Sequence, residues 1–282
     1  MRRIQFIEIH EQRWLPPSIR DDITDTLQFG LSLFHAYAPI APLLQRAIDS
    51  TRNRAKGERS IVDLCSGGGG PWFDLSRKLQ SRTLEGAPAP FQIWLTDQYP
   101  NLRALRNARA ASENQITFYP DPVDATKVPG ELKGFRTMFT SFHHFSPEAA
   151  SAVLQNAVDA GESIGIFEIT RRAPSTICIV IAFDLILSVC TPWIPPFRWS
   201  RLFWTYLVPV IPVVLLFDGV VSCLRTYRPP ELREMVEQLR ASEYQWEIGE
   251  HATGEVPITY LIGYLRACVA GKSFNKGDAA NR

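Results

Sequence analysis

The chain lacks an excess of charge of either sign. Lys+Arg total 30 against Asp+Glu 29, so it has none of the electrostatic footprint of a protein that lives on nucleic-acid phosphates. It also lacks paired cysteines. Cys65, Cys178, Cys190, Cys223 and Cys268 are odd in number and widely spaced, which argues against a disulfide framework or a zinc ribbon and fits a reducing cytoplasm. No apolar run near the start is long enough for a secretory signal, because Glu8 and Glu11 interrupt it. Nor does any run reach the ~20 residues that usually cross a bilayer: Thr176–Cys190 has 15 with only Asp184 charged, and Leu202–Phe217 has 16 with Pro209 and Pro212 inside it. With 282 residues, one large domain with an appendage is expected.

What is present falls into blocks. Residues 1–59 read as a mainly helical preface, broken at Pro16-Pro17 and ending in the polar run Thr51–Ser60. The texture then changes to short apolar strands, Ser60–Leu64, Phe91–Thr96, Ile116–Tyr119, Phe135–Thr140 and Ser163–Ile169. Helical stretches at Trp72–Leu79, Leu102–Asn114 and Pro147–Asp159 alternate with them. This alternation predicts βαβ units and a doubly wound α/β fold with a mostly parallel sheet. Pro229–Leu239 reads as a helix, and Tyr244–Ile248 with Ile258–Tyr264 as an antiparallel pair. Residues 60–174 and 218–270 therefore form the α/β domain, 175–217 an apolar insertion, and 271–282 a disordered tail.

Gly67-Gly-Gly-Gly70 follows the first strand and precedes a helix. Such a turn lets a ligand approach backbone N–H groups closely. The dinucleotide fingerprint GxGxxG fails here, because counting from Gly67 its third glycine is Trp72 and counting from position 65 its first is Cys65. A nicotinamide-dependent oxidoreductase is disfavoured accordingly. S-adenosylmethionine asks for something else. Asp63, ahead of the turn, suits the amino group of the ligand or anchors the turn itself. Asp97, after the second strand, suits a bidentate grip on the ribose diol. Asp124-Ala125, after the third, suits the adenine.

Ile61-Val-Asp-Leu-Cys-Ser-Gly-Gly-Gly69, Trp94-Leu-Thr-Asp97, Asp124-Ala-Thr-Lys-Val-Pro129 and Thr140-Ser-Phe-His-His-Phe145 together resemble the successive motifs of class I S-adenosylmethionine-dependent methyltransferases. The likeness covers roughly residues 60–170 and the terminal strand pair. It implies a seven-stranded sheet with the cofactor at the carboxyl ends of its first strands. It places Asp63, Cys65, Ser66, Gly67, Gly69, Asp97, Gln98, Asp124, Ala125 and Ser141 around S-adenosylmethionine. Cys65 departs from the usual first glycine, a change tolerable where its φ is negative.

Methyl transfer asks mainly for alignment of acceptor and cofactor, with a base only where the acceptor must lose a proton. His143 and His144 follow the fourth strand and are the catalytic candidates. The plainer alternative is that one packs and the other caps the next helix with Ser146. Adjacent histidines point differently, so no metal is expected. Glu168 either meets substrate or pairs with Arg171 or Arg172. Trp14, Arg225 and Tyr227 are further acceptor-side candidates, while Asp218 and Ser222 line that site or tie the insertion to the sheet. Glu8, Glu11, Trp14 and Arg20 form a lid over the cofactor or a helix against the sheet edge. For 175–217 three readings stay open: a lid over an apolar acceptor, a peripheral membrane patch assisted by Arg198, Arg201, Trp193, Trp199 and Trp204, or a homodimer interface. The expected activity is methylation of a small or lipid-like acceptor with a large apolar part. Nucleic acid is not expected as a partner, since no Asn/Asp-Pro-Pro-aromatic motif follows strand four. The alternative is a non-catalytic binding or scaffold protein on the same fold.

Overall fold

The computed structural model describes residues 1–50, 59–81, 91–112, 115–252 and 256–265. The polar run after residue 50, Cys268 and the expected tail lie wholly or mostly outside these residues. Five short strands alternate with helices as their texture predicts: β1 (Arg59–Asp63), β2 (Phe91–Leu95), β3 (Ile116–Phe118), β4 (Phe135–Phe139) and β5 (Ile164–Glu168). Strands β4 and β5 are buried along their whole length, which is why they read as continuous apolar runs rather than alternating ones. β6 (Tyr244–His251) and β7 (Ile258–Leu265) complete a seven-stranded sheet of order β3-β2-β1-β4-β5-β7-β6. The first five strands are parallel, while β7 runs antiparallel to both β5 and β6.

Helices α3 (Trp72–Ser81), α4 (Leu102–Ala111) and α5 (Pro147–Ala160) are the crossovers. Helix α5 begins on Ser146, whose hydroxyl accepts from Ala149 N at 3.3 Å, and ends on Gly161 in the left-handed region. Two apolar clusters cover the two faces of the sheet, one around Ile61, Trp72 and Leu105, the other around Val62, Val153 and Leu154. The chain order reverses beside β1, between β2 and β4, and a ligand crevice is expected outside the carboxyl ends there.

The preface is less helical than expected. Residues 1–16 form an irregular strap, followed by α1 (Pro17–Leu33), a 3₁₀ turn at Ala38–Ile40 and α2 (Ala41–Ser50). The insertion holds α6 (Pro174–Cys190), a four-residue α7 (Trp199–Leu202) running into a π turn (Phe203–Leu207), and α8 (Val210–Arg225). Helix α8 does not stop at 217. It carries Asp218, Ser222 and Arg225 on the same unbroken helix, since Pro212 sits in its first turn where the missing N–H is harmless. Helix α6 also outgrows the 15-residue run. With the turn that follows, Pro174–Trp193 spans 20 residues at mean hydropathy 2.0, long and apolar enough to cross a membrane. Helices α1, α6 and α8 pack on one another so closely that Gly30 meets Phe183 and Gly219 meets Val180 where side chains would collide. Chain order continues with α9 (Pro229–Glu237) before β6.

Candidate active site

The residues singled out from sequence converge because they are strand ends. Asp63 closes β1, Asp97 follows β2, Asp124 follows β3, Ser141 follows β4 and Glu168 closes β5, all on the carboxyl edge. Backbone hydrogen bonds weld the turn after β1 to its neighbours. Ser66 N donates to Thr96 O at 2.9 Å, Leu64 N to Thr137 O at 2.8 Å and Gly69 N to Ser66 O at 2.8 Å. Asp97 Oδ2 accepts from Gly67 N at 2.8 Å and its Oδ1 from Tyr99 N at 2.8 Å. Each oxygen keeps a lone pair for another donor. Gln98 beside it is exposed. Val123 N donates to Asp97 O at 2.9 Å, which brings the loop of Asp124 and buried Ala125 alongside. The Asp124 carboxylate accepts from its own loop, from Thr126 N at 2.8 Å and Thr126 Oγ1 at 2.7 Å.

Asp63 anchors the turn from below. It is buried, it accepts from Thr137 Oγ1 at 2.6 Å, and burial pushes its carboxyl up to about 7. Cys65 adopts φ +57°, so the condition of a negative φ fails. The turn imposes the left-handed conformation for which glycine is the usual residue, and cysteine carries the strain. Burial, with Asp97, Asp63 and Asp124 nearby, holds its thiol well above the ordinary value, and it stays protonated. The Ser141 hydroxyl is buried beside the Cys65 thiol.

Helix α1 lies against this turn. Its Gln28 donates to Gly70 O at 2.6 Å, and the Thr24 methyl would stand 3.3 Å from a side chain at Gly68. Neither residue was legible as a site residue, since nothing in a helical pattern reveals which loop a helix covers. Asp22 and Asp25 were missed too. Asp22, fully buried on the same helical face as Ile19 and Ile23, accepts from Arg198 NH1 at 2.7 Å and Ser200 Oγ at 3.1 Å. Asp25 accepts from Arg201 NH2 at 2.9 Å. An acid on an otherwise apolar helix face was the available signal. These pairs turn Arg198 and Arg201 inward, away from any lipid headgroup, and Trp204 packs partly inward as well. Trp193 and Trp199 remain 71 % and 78 % exposed.

On the other side of Ser141 lies a dense ionic cluster. Glu168 does not pair with Arg171 or Arg172, which go to Glu250 and Glu231. The 3₁₀ turn at Phe142–His144 offers free amides, and Glu168 Oε1 accepts from Phe142 N at 2.7 Å. Its Oε2 lies 2.7 Å from His143 Nδ1. Burial opposes a charged His143, but Glu168 and then Glu8 outweigh it and raise the imidazole above its ordinary value. Burial and then the neighbouring His143 push His144 the other way. Neither histidine caps α5, a task Ser146 performs alone.

The strap closes over these histidines. Fully buried Glu8 sits 3.6 Å from His143 Nε2 and 3.3 Å from Arg225 NH1. Glu11 lies 2.5 Å from His144 Nδ1. Burial favours the protonated Glu11 carboxyl, but His144 and Arg225 overcome this and hold it down at about 2. Arg225 is buried and donates to the carbonyls of His143 and His144. Tyr227 donates to Phe145 O at 2.8 Å under the Arg3 guanidinium. Arg225 and Tyr227 thus knit α8 to the 142–145 loop. Asp218 accepts from Ile9 N at 2.7 Å and His10 N at 3.0 Å, and Ser222 Oγ donates to Glu8 Oε1 at 3.1 Å, so both tie the strap to α8. Arg20 donates to His10 O and Gln12 O, holding the strap rather than a ligand. Trp14 is 70 % exposed and outside the cluster.

No protein-family model matches the chain, and no curated protein matches it. Among solved structures it is similar to the plantazolicin methyltransferase BpumL in complex with SAH, at 11% identity and TM-score 0.55 over 91% of this chain and 94% of that one. Magnesium protoporphyrin IX methyltransferase (ChlM) from Synechocystis PCC 6803 with bound SAH aligns at 11% identity and TM-score 0.44 over 92% of this chain and 91% of that one. The fold of the chain is the Rossmann-like methyltransferase fold, with the antiparallel β6–β7 edge and a helical cap added over its carboxyl side.

Proposed function

We propose that the chain is an S-adenosylmethionine-dependent methyltransferase acting on a small or lipid-like acceptor with a large apolar part. The observation that carries this reading is the carboxyl edge itself. A glycine turn bonded to Asp97, the Asp124-Ala125 loop, and the buried hydroxyl of Ser141 stand on adjacent strand ends. The donors and acceptors present fit the cofactor: Asp97 for the ribose, Asp124-Ala125 for the adenine, and the turn from Cys65 to Gly69 for the amino-acid end. When bound, the cofactor supplies a methyl group on a sulfonium, an electrophile that needs little further activation.

The work left to the chain is alignment and exclusion of water. Helix α1 and the strap roof the turn and the histidines. His143, with Nδ1 on Glu168 and a buried Nε2 that has no hydrogen-bond partner, orients an acceptor through that nitrogen. The apolar character of the acceptor is read from the cap. Leu185, Val189, Trp193, Trp199 and Leu207 are exposed on it, a surface suited to the interface of a bilayer from which such an acceptor would be drawn.

Calorimetric titration with S-adenosylmethionine, S-adenosylhomocysteine and NADH tests the cofactor class. Micromolar binding of the two sulfur ligands and none of NADH is expected. Asp97→Ala should lower their affinity about 100-fold, the loss of two charge-assisted hydrogen bonds. His143→Ala should lower turnover more than cofactor affinity. Absence of binding by either sulfur ligand overturns the enzyme reading in favour of a scaffold.

A further inference from the structure

We propose that Glu8, His10 and His144 hold a divalent transition-metal ion of the zinc class, which fastens the N-terminal strap onto the 142–145 loop. Glu8 and His10 are neighbours on the strap, His144 is far from both in sequence, and His10 carries no motif. In the fold, one donor atom from each lies within 4.8 Å of the other two. The Glu8 side chain is only 1 % exposed. One of its oxygens is occupied, since Oε1 accepts from Ser222 Oγ at 3.1 Å and faces Arg225 NH1 at 3.3 Å. The other, Oε2, is buried without a hydrogen-bond partner. A buried carboxylate oxygen without a hydrogen bond is costly, and such an atom calls for an occupant.

The geometry around Oε2 suits a metal ion. It lies 3.4 Å from His144 Nδ1 and 3.6 Å from His10 Nδ1. A tetrahedral ion with bonds of 2.0–2.1 Å sets its ligands ~3.4 Å apart, an edge these distances nearly match. Two carboxylates stand at the flanks: Asp218 Oδ2 is 2.9 Å from His10 Nδ1, and Glu11 Oε1 is 2.5 Å from His144 Nδ1. Either supplies a fourth ligand. Four carboxylates lie in and around the cluster: Glu8 and Glu11 face Arg225, Glu168 faces His143 and Asp218 faces His10. Two imidazole nitrogens with carboxylate oxygen suit zinc, cobalt or nickel better than magnesium or calcium. On binding, the metal takes the place of the Nδ1 protons, which leave to solvent. His143 stands on the other side of the carboxylate, its Nδ1 on Glu168 and its Nε2 3.6 Å from Glu8 Oε1 rather than Oε2. The ion would sit between strap, loop and α8, and it makes His144 a ligand rather than a base.

The test uses the full-length protein stripped with a chelator and titrated with Co²⁺ in the visible range, a readout that needs no cofactor and no turnover. One equivalent with intense tetrahedral d–d bands, displaced by Zn²⁺, is expected, together with a rise in Tm on adding Zn²⁺. Glu8→Gln and His10→Gln should each weaken Co²⁺ binding at least 10-fold, while His35→Gln, at an exposed histidine outside the cluster, should not. Absence of the bands in the wild-type chain, or equal binding by both variants, overturns the proposal. Should the variants fail to fold, X-ray absorption at the zinc edge of the wild-type protein decides. Two imidazoles in the shell support the site, and none refutes it.

Discussion

The turn after β1 and the cap of α1, α6 and α8 are built by opposite means. The turn is made of backbone. Its amides and carbonyls pair with neighbouring strand ends, and its side chains are small or absent. The cap is made of side chains. Its helices carry an apolar outer face, and buried ions join them to each other and to the strap. A backbone-built site is set by strand ends and is the same whatever the acceptor. A cap fixed by pairs such as Arg201–Asp25 depends on a few residues distant in sequence, and an acceptor site built there is free to vary.

If that contrast holds, the cap should fail at a single charge. Arg201 is 1 % exposed, donates to Ile194 O at 2.8 Å and pairs with Asp25. Arg201→Ala strands Asp22 and Asp25 partly unpaired, and a loss of about 3–5 kcal/mol is expected. Urea unfolding measures it. A loss under about 1 kcal/mol would mean that apolar packing, not the ion pair, holds the cap.

The turn should instead show its buried carboxyl through pH. The folded-state value for Asp63 is raised from 3.8 to about 7. The native state therefore keeps a proton that the unfolded chain releases, and stability falls as pH rises from about 4 through about 7. The full penalty is at most about 4 kcal/mol. Asp63→Asn, whose amide oxygen still accepts from Thr137, should flatten that part of the stability-pH curve. Equal slopes for variant and wild type would show that Asp63 is ionised and paired in the folded state.

The outer face of the cap admits a third comparison. Val189 and Leu207 are 67 % and 73 % exposed. Val189→Glu with Leu207→Glu should leave stability within about 0.5 kcal/mol per site, yet lower sedimentation with anionic liposomes about 10-fold. A wild-type chain that does not sediment leaves the lid and dimer readings.

The same contrast explains what the sequence revealed. Strand texture located five parallel strands and the terminal pair, and motif spacing located Asp63, Asp97, Asp124 and Ser141, because both are local properties that strand ends inherit. Glu168 was found but its partner was not, since the free amides of the 142–144 turn exist only once that turn has formed. Asp22 with Arg198, and His10 with Asp218, stand 176 and 208 residues apart. No period or motif links such pairs, and only the packing of α1 and the strap against the insertion brings them together. The length of α6 was underread for a related reason: Pro192 looks like a stop, but here it lies in a 3₁₀ turn that extends the helix.

Cys65 provides the smallest test, and it lies within the legible half. Its φ of +57° belongs to the left-handed region, where a residue with a Cβ is strained by about 1–2 kcal/mol. Glycine removes that strain but gives back about 0.5–1 kcal/mol through the freedom of the unfolded chain. Cys65→Gly should therefore stabilise the protein by about 0.5–1 kcal/mol, a rise in Tm of roughly 2 °C for a chain of this size. Because the thiol is held protonated, the change removes no charge, and cofactor affinity should not fall. A drop in both Tm and affinity would show that the sulfur fills space the turn needs. The turn would then depend on a side chain, and its contrast with the cap would be one of degree.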